Sequence, residues 1–144
     1  MRKGKMAASR KKIKKDYVYA VGRRRTSSAR VRLHKGNKES LVNGQVIGKY
    51  FPGATMRSVW QKPFELTGTT GKYYITARVM GGGKQGQLRA VVHGLARAFS
   101  KRDTEKFRKL LKDGGLLTRD SRKRQRRMVG TGGKSRRAKQ SPKR

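Results

Sequence analysis

The chain of 144 residues carries 41 Lys and Arg against 7 Asp and Glu, a formal net charge of +34, or roughly one uncompensated positive charge every four residues. Such a density repels itself and points to a polyanionic partner such as nucleic acid rather than to an ordinary enzyme. With no cysteine and two histidines, disulfide, Cys-zinc and iron–sulfur chemistry are excluded, a His/carboxylate metal site is poorly supplied, and no apolar run approaches the roughly 20 residues that span a bilayer.

Residues 1–15 hold eight Lys and Arg and no acid, so they lack material for a core and are expected to form a disordered basic arm. Residues 16–120 carry the only regular apolar patterning and form the expected globular domain. Within it, residues 17–21 (YVYAV) are β-branched and aromatic and read as a strand. Gly22-Arg23-Arg24-Arg25-Thr26-Ser27, which follows, reads as a tight basic loop. Over residues 28–34, Ala29, Val31 and Leu33 alternate with Arg30, Arg32 and His34, as in a half-buried strand with a cationic outer face. Gly36-Asn37 marks a turn, residues 39–42 offer a short strand, and Asn43-Gly44 closes it. Residues 46–61 spread Ile47, Tyr50, Phe51, Met56, Val59 and Trp60 about Pro52-Gly53, which predicts two short helices, the second stopped at Pro63. Residues 72–80 alternate again, with Tyr73, Ile75, Ala77 and Val79 on one face.

The loop Gly81-Gly82-Gly83-Lys84-Gln85-Gly86 separates that strand from a helix over residues 87–100, in which Leu88, Val91, Val92, Leu95 and Phe99 share a face. The opposite side bears Arg89, His93, Arg97 and Lys101 at intervals of four, a cationic stripe that costs helix stability unless anions lie along it. A second helix is expected over about residues 103–112, capped by Asp103 and ended by Gly114-Gly115. Residues 121–144 carry eleven Lys and Arg, no acid and almost nothing apolar, which makes an extended basic tail that orders on a partner.

The glycine loop satisfies G-x-G-x-x-G at Gly81, Gly83 and Gly86, and Asp103 stands twenty residues after Gly83. A dinucleotide fold, however, needs that acid at the end of a second parallel strand, and here a helix fills the interval. The physical part of the motif survives: backbone N–H groups of Gly81, Gly82, Gly83 and Gly86 at a helix start, reinforced by Lys84, form a phosphate cradle. A loop shaped only by tight strand-to-helix packing is the competing reading. His34 and His93 are expected as polar members of a basic face rather than an acid/base pair, and the carboxylates as caps and local charge partners. Tyr17, Tyr19, Tyr73 and Tyr74 are expected chiefly in the core, with stacking on unpaired bases as the weaker alternative. No catalytic set, metal or cofactor is expected. The pattern thus reaches an α+β binder of structured nucleic acid. It leaves open an architectural DNA-binding role and, behind that, a nucleotide-dependent enzyme.

The motifs themselves carry a resemblance. Ala20-Val21-Gly22-Arg23-Arg24-Arg25 is followed by Ala29-Arg30-Val31, Val42-Asn43-Gly44, Tyr50-Phe51-Pro52 and Pro63-Phe64-Glu65-Leu66-Thr67. The glycine loop with Gln87, His93-Gly94-Leu95-Ala96-Arg97-Ala98 and Leu116-Leu117-Thr118-Arg119-Asp120 continue the series, in order, over about residues 17–127. The chain resembles the bacterial form of the universal family of small-subunit ribosomal proteins numbered nine. The resemblance implies an α+β fold with a four-stranded sheet covered by helices, like the second domain of small-subunit ribosomal protein number five, and a place in the head of the cytoplasmic small subunit. It implies binding of the three-prime major domain of ribosomal RNA through Arg23, Arg24, Arg25, Lys84, Arg89, Arg97, Arg119, Arg122, Lys123, Arg124, Arg126, Arg127, Arg136 and Arg137. It further implies that the tail reaches peptidyl-site transfer RNA with Lys143 and Arg144, and that neighbouring head proteins are partners, with no membrane involved. Where the family usually ends in an aromatic residue and Ser-Lys-Arg, this chain has Ser141-Pro142-Lys143-Arg144, and the proline fixes its own φ and biases Ser141 towards extended backbone.

Overall fold

Period-two alternation lays down two long strands, β1 (Tyr17–Arg24) and β2 (Ser27–Lys35), paired antiparallel from Tyr17↔His34 to Arg24↔Ser27. The computed structural model describes residues 16–130 and 132–133. The loop expected over residues 22–27 therefore shrinks to a two-residue turn. β1 continues through Arg23 and Arg24, and the chain reverses over Arg25 and Thr26, with Arg25 left-handed at φ 52°. Gly22 and Arg24 are buried while Arg23 is exposed, an alternation that three identical residues conceal.

The short strand β3 (Leu41–Val42) pairs antiparallel with β4 (Gln45–Val46) and parallel with β5 (Tyr73–Met80), which itself pairs antiparallel with β2. The sheet order is β1-β2-β5-β3-β4. It has five strands where the resemblance implied four, because Asn43 and Gly44, at φ 50° and 82°, turn the 39–42 segment into a hairpin. The Asn43 amide then replaces a missing backbone partner. Its Nδ2 donates to the Val79 carbonyl at 3.0 Å and its Oδ1 accepts from the Val79 N–H at 2.8 Å, which fastens the hairpin to β5.

Two helices, α1 (Ile47–Tyr50) and α2 (Ala54–Leu66), flank Pro52-Gly53 as expected. Pro63 does not stop α2. It is buried within the last turns, and the helix runs on to Leu66 with Thr67 N–H closing onto the Pro63 carbonyl at 3.3 Å; the ring removes one donor but leaves its own carbonyl available. The long helix α3 (Lys84–Arg102) begins three residues before the sequence suggests, and α4 (Thr104–Asp113) starts under the Asp103 cap, whose carboxylate accepts from Lys106 N–H at 3.3 Å.

α3 lies across β1 and β2 and buries Leu88, Val91, Leu95 and Phe99 against Val31 and Ile75 in one cluster. The Phe99 ring receives Phe64, Tyr73 and Phe107 edge-on at 5.5, 5.7 and 5.6 Å. α2 and α4 pack beside α3. The opposite sheet face carries the exposed side chains of Tyr19, Arg30, Arg32 and Arg78.

Candidate nucleic-acid interface

β1 is an edge strand, and its outer backbone groups need partners. The cationic stripe of α3 supplies them. Arg97 donates from Nη1 to the Val21 carbonyl at 2.6 Å, Lys101 from Nζ to the Tyr19 carbonyl at 3.2 Å, and Arg23 N–H reaches His93 Nδ1 at 3.4 Å. The anions anticipated along the stripe are thus partly replaced by carbonyl oxygens of the fold, and Arg97 is engaged as an edge cover. Arg89, the first member, is exposed.

Arg24 departs further from the reading of the sequence. It is buried, and its Nη2 pairs with Asp120 Oδ2 at 2.8 Å while Nη1 donates to the Arg122 carbonyl at 2.9 Å. Arg122 returns to the same carboxylate through its backbone N–H at 3.0 Å, Nε at 3.1 Å and Nη2 at 2.8 Å. These hydrogen bonds from Arg122, side chain first and then backbone, together with the charge of Arg24, hold the Asp120 carboxyl far below the usual carboxylate range and raise the Arg122 guanidinium. Arg24 and Asp120 therefore clasp the root of the tail onto the β1–β2 hairpin. Beyond them Lys123, Arg124, Arg126 and Arg127 are exposed on a segment without helix or strand, and Arg119 is exposed just before. Arg136, Arg137, Lys143 and Arg144 lie outside the described residues.

The clasp borders a concavity of about 400 Å³ between the hairpin, α2 and α3, lined by Arg23, Arg24, Lys62, Arg89, His93 and Asp120. Structure thus brings Arg23 and Arg89 together, and it adds Lys62. The sequence offered no signal for Lys62, since its neighbours in space come from β1 and α3. Lys84 is elsewhere: its Nζ sits 3.5 Å from the centre of the Tyr50 ring and donates to the Tyr50 carbonyl at 3.3 Å, so it is folded against α1.

The glycine loop divides between the two readings of it. A Cβ on Gly81 would stand 2.6 Å from the Thr26 carbonyl oxygen, one on Gly82 would overlap Ser27 Oγ, and one on Gly86 would stand 2.8 Å from that same hydroxyl. Packing against the hairpin turn accounts for these three. Gly83, the residue that starts α3, has open space around it, and α3 has neither a side-chain cap nor an acid in its first turn. The loop is held from both sides, Ser27 Oγ and Gln87 Nε2 donating to the Gly81 carbonyl at 3.0 and 3.1 Å. Among the described residues α3 is followed by α4 and no strand, whereas a dinucleotide fold has a parallel strand there.

The histidines stand on different layers. His34 projects from the face of β2 opposite Leu33, stacks on Tyr74 at 4.8 Å and bonds Thr76 Oγ1 at 3.0 Å. His93 on α3 places Nε2 3.3 Å from the Leu117 carbonyl, an atom that only accepts, so Nε2 carries the proton and Nδ1 the lone pair. Burial lowers the His93 pKa, against a raising bond to Leu117, and the charges of Arg97 and Arg119 lower it further; burial, Arg32 and Lys38 lower that of His34. The unfolded chain therefore takes up these protons first. Stability is expected to hold above about pH 6.5 and to decline as pH falls through that value towards the folded pKa values. Urea midpoints at a series of pH values check this, and the decline should be smaller in His93→Gln.

Of the four strand tyrosines, only Tyr73 joins the core cluster, against Phe99. Tyr17, Tyr19 and Tyr74 stand in the columns of the sheet face opposite α3, which no described element covers, contrary to the expectation that they are chiefly core.

A small sheet-and-helix unit with a cationic rim, from which an extended cationic segment leaves under a fixed clasp, is the build of a protein that binds structured nucleic acid. The family model for ribosomal protein S9/S16 matches residues 22–144. The small ribosomal subunit protein uS9 of Maridesulfovibrio salexigens is 45% identical over 121 residues, covering 84% of this chain and 92% of that relative. The chain belongs to the ribosomal protein S9/S16 family. It is accordingly a constituent of the small ribosomal subunit that binds ribosomal RNA, in a family that is not one of enzymes.

Proposed function

We propose that the protein works as a two-part electrostatic anchor in the head of the small subunit, on the three-prime major domain of its RNA and beside neighbouring head proteins. Residues 16–120 form the seated domain, and residues 1–15 and 121–144 are basic arms. The observation that carries this reading is the Arg24–Asp120–Arg122 clasp, which fixes the direction in which a purely cationic segment leaves the domain. A segment with eleven Lys and Arg and no acid resists collapse, so it can enter between RNA helices and neutralise phosphates that otherwise repel. Arg23, Arg25, Lys62, Arg89 and Arg119 grip phosphates around the domain, with the N–H groups at the start of α3 beside them. Arg24 and Arg97 act indirectly, by holding the tail root and the β1 edge. Lys143 and Arg144 contact the backbone of peptidyl-site transfer RNA, a contact without base reading that suits a site serving every transfer RNA. No step requires chemistry by the protein.

Sedimentation of a cell lysate through a high-salt sucrose gradient tests this placement. The protein should migrate in equal number with small subunits and whole ribosomes at salt that strips loosely held basic proteins. Release to the top of the gradient, or migration with DNA, would sink the reading.

A further inference from the structure

The sheet face turned away from α3 is composed for contact. Register places Tyr17, His34 and Tyr74 in one row across β1, β2 and β5, Tyr19, Arg32 and Thr76 in the next, and Val21, Arg30 and Arg78 in a third. The first row is a run of rings. His34 lies parallel to Tyr74 with an interplanar angle of 12°, Tyr17 tilts onto His34 at 5.5 Å, and the Arg32 guanidinium carbon stands 5.1 Å over the Tyr17 ring. Tyr19, Arg30, Arg32 and Arg78 are exposed, and Tyr19 keeps 43% of its surface. Together they line a shallow concavity of about 900 Å³ to which no Asp or Glu contributes.

Three exposed arginines without an acid exclude several occupants. Residues 1–15 and 134–144 contain Lys and Arg but no acid, so the chain's own ends are repelled, as is the same face of a second copy. An RNA duplex offers phosphates and a shallow groove and has no use for rings on a flat surface. Unpaired nucleotides offer both a π-face and a phosphate to each residue pair here. Aromatic side chains between arginines on an open sheet are what stack bases and hold the connecting phosphates.

We propose that this sheet face, open among the described residues, with Tyr19 beside Arg30, Arg32 and Arg78, is a second RNA-binding surface that takes unpaired nucleotides, bases stacking on Tyr19 and the Tyr17–His34 edge while the arginines hold phosphates. It rests on the ribosomal reading above and adds a surface on the side of the domain opposite α3. It also gives the three outward tyrosines a role that core packing does not.

The full-length chain is titrated with a 12-residue oligouridylate and with a blunt RNA duplex of the same length, at several salt concentrations. Tyr19→Ala should weaken oligouridylate binding by about five-fold or more while duplex binding stays as in the wild type, and Tyr19→Phe should restore it. Arg32→Gln with Arg78→Gln should lower the slope of log affinity against log salt by about 1.4 on the oligouridylate. Ultraviolet irradiation of assembled small subunits should leave a nucleotide on the peptide containing Tyr19. Unchanged oligouridylate affinity and slope in these variants, or a link from Tyr19 to another protein, overturns the proposal. In that event the wild-type chain still sediments with small subunits at high salt, whereas loss of that sedimentation overturns the ribosomal placement itself. Because Tyr19 and the arginines are exposed, unfolding midpoints of all variants should match the wild type and so exclude misfolding as the cause.

Discussion

Gly22→Ala should destabilise the protein by about 3 kcal/mol or more, a large part of the roughly 5–15 kcal/mol that holds a small domain together. Gly22 faces α3 at a close strand-to-helix approach. A Cβ there would overlap the Ala90 carbonyl oxygen and the Gly94 nitrogen and stand 2.9 Å from the Gly94 Cα. All three are backbone atoms, so no rotamer change clears them. Strand and helix must move apart, and that separation strains the bonds by which Arg97 and Lys101 cover the β1 edge. Gly94 answers from the other side, where an added Cβ would stand 3.0 Å from the Gly22 nitrogen and 2.7 Å from Val31 Cγ2. Gly83→Ala is the control. Its site is open and its φ is −104°, so the cost should be only that of alanine at a helix N-cap, about 1 kcal/mol or less. Urea denaturation followed by circular dichroism separates the two, and a Gly22→Ala midpoint equal to that of Gly83→Ala would refute the close-contact account.

The same contact marks where the sequence could be read and where it could not. Alternation in residues 28–34 and 72–80 reports a local property, and both strands stand within a residue of the expected bounds. Asp103 as a cap and Gly114-Gly115 as a terminator are likewise local, and both are observed, with Gly115 at φ 69°. What escaped depends on partners distant in the chain. Nothing near Arg24 tells that its charge is met by Asp120, 96 positions on, and three successive arginines read as a loop because charge alone was visible. That Arg97 and Lys101 of the cationic stripe also cover the β1 edge shows only once that edge is placed beside them. Tyr17 and Tyr19 follow the β period correctly, but which side of the sheet α3 covers is decided by packing, and that choice turned them outward. Pro63 shows the opposite error, a local rule overapplied, since a proline late in a helix costs one bond and burial of its ring against the core offsets it.

The largest functional effect is expected from the tail. Lys123, Arg124, Arg126 and Arg127 are exposed and stand beyond the clasp, so replacing all four by Gln leaves Arg24, Asp120 and Arg122 in place and should leave the unfolding midpoint unchanged. Each lost cation is one phosphate no longer neutralised and one set of counterions no longer released. Four of them lower the slope of log affinity against log salt by about 2.8–3.6. The wild-type protein should therefore lose about 50- to 150-fold more affinity for small-subunit ribosomal RNA between 50 and 200 mM salt than the variant does. The effect should be nearly independent of RNA sequence, because phosphates carry no base information. Titrations at four or more salt concentrations measure the slope directly. An unchanged slope would mean that these side chains lie away from phosphate, and the clasp would then aim the tail at something other than RNA. A reduced slope with an unchanged domain midpoint separates the two parts of the anchor: a seat built by α3 on the sheet, and a charged extension whose starting direction is fixed by one carboxylate between two arginines.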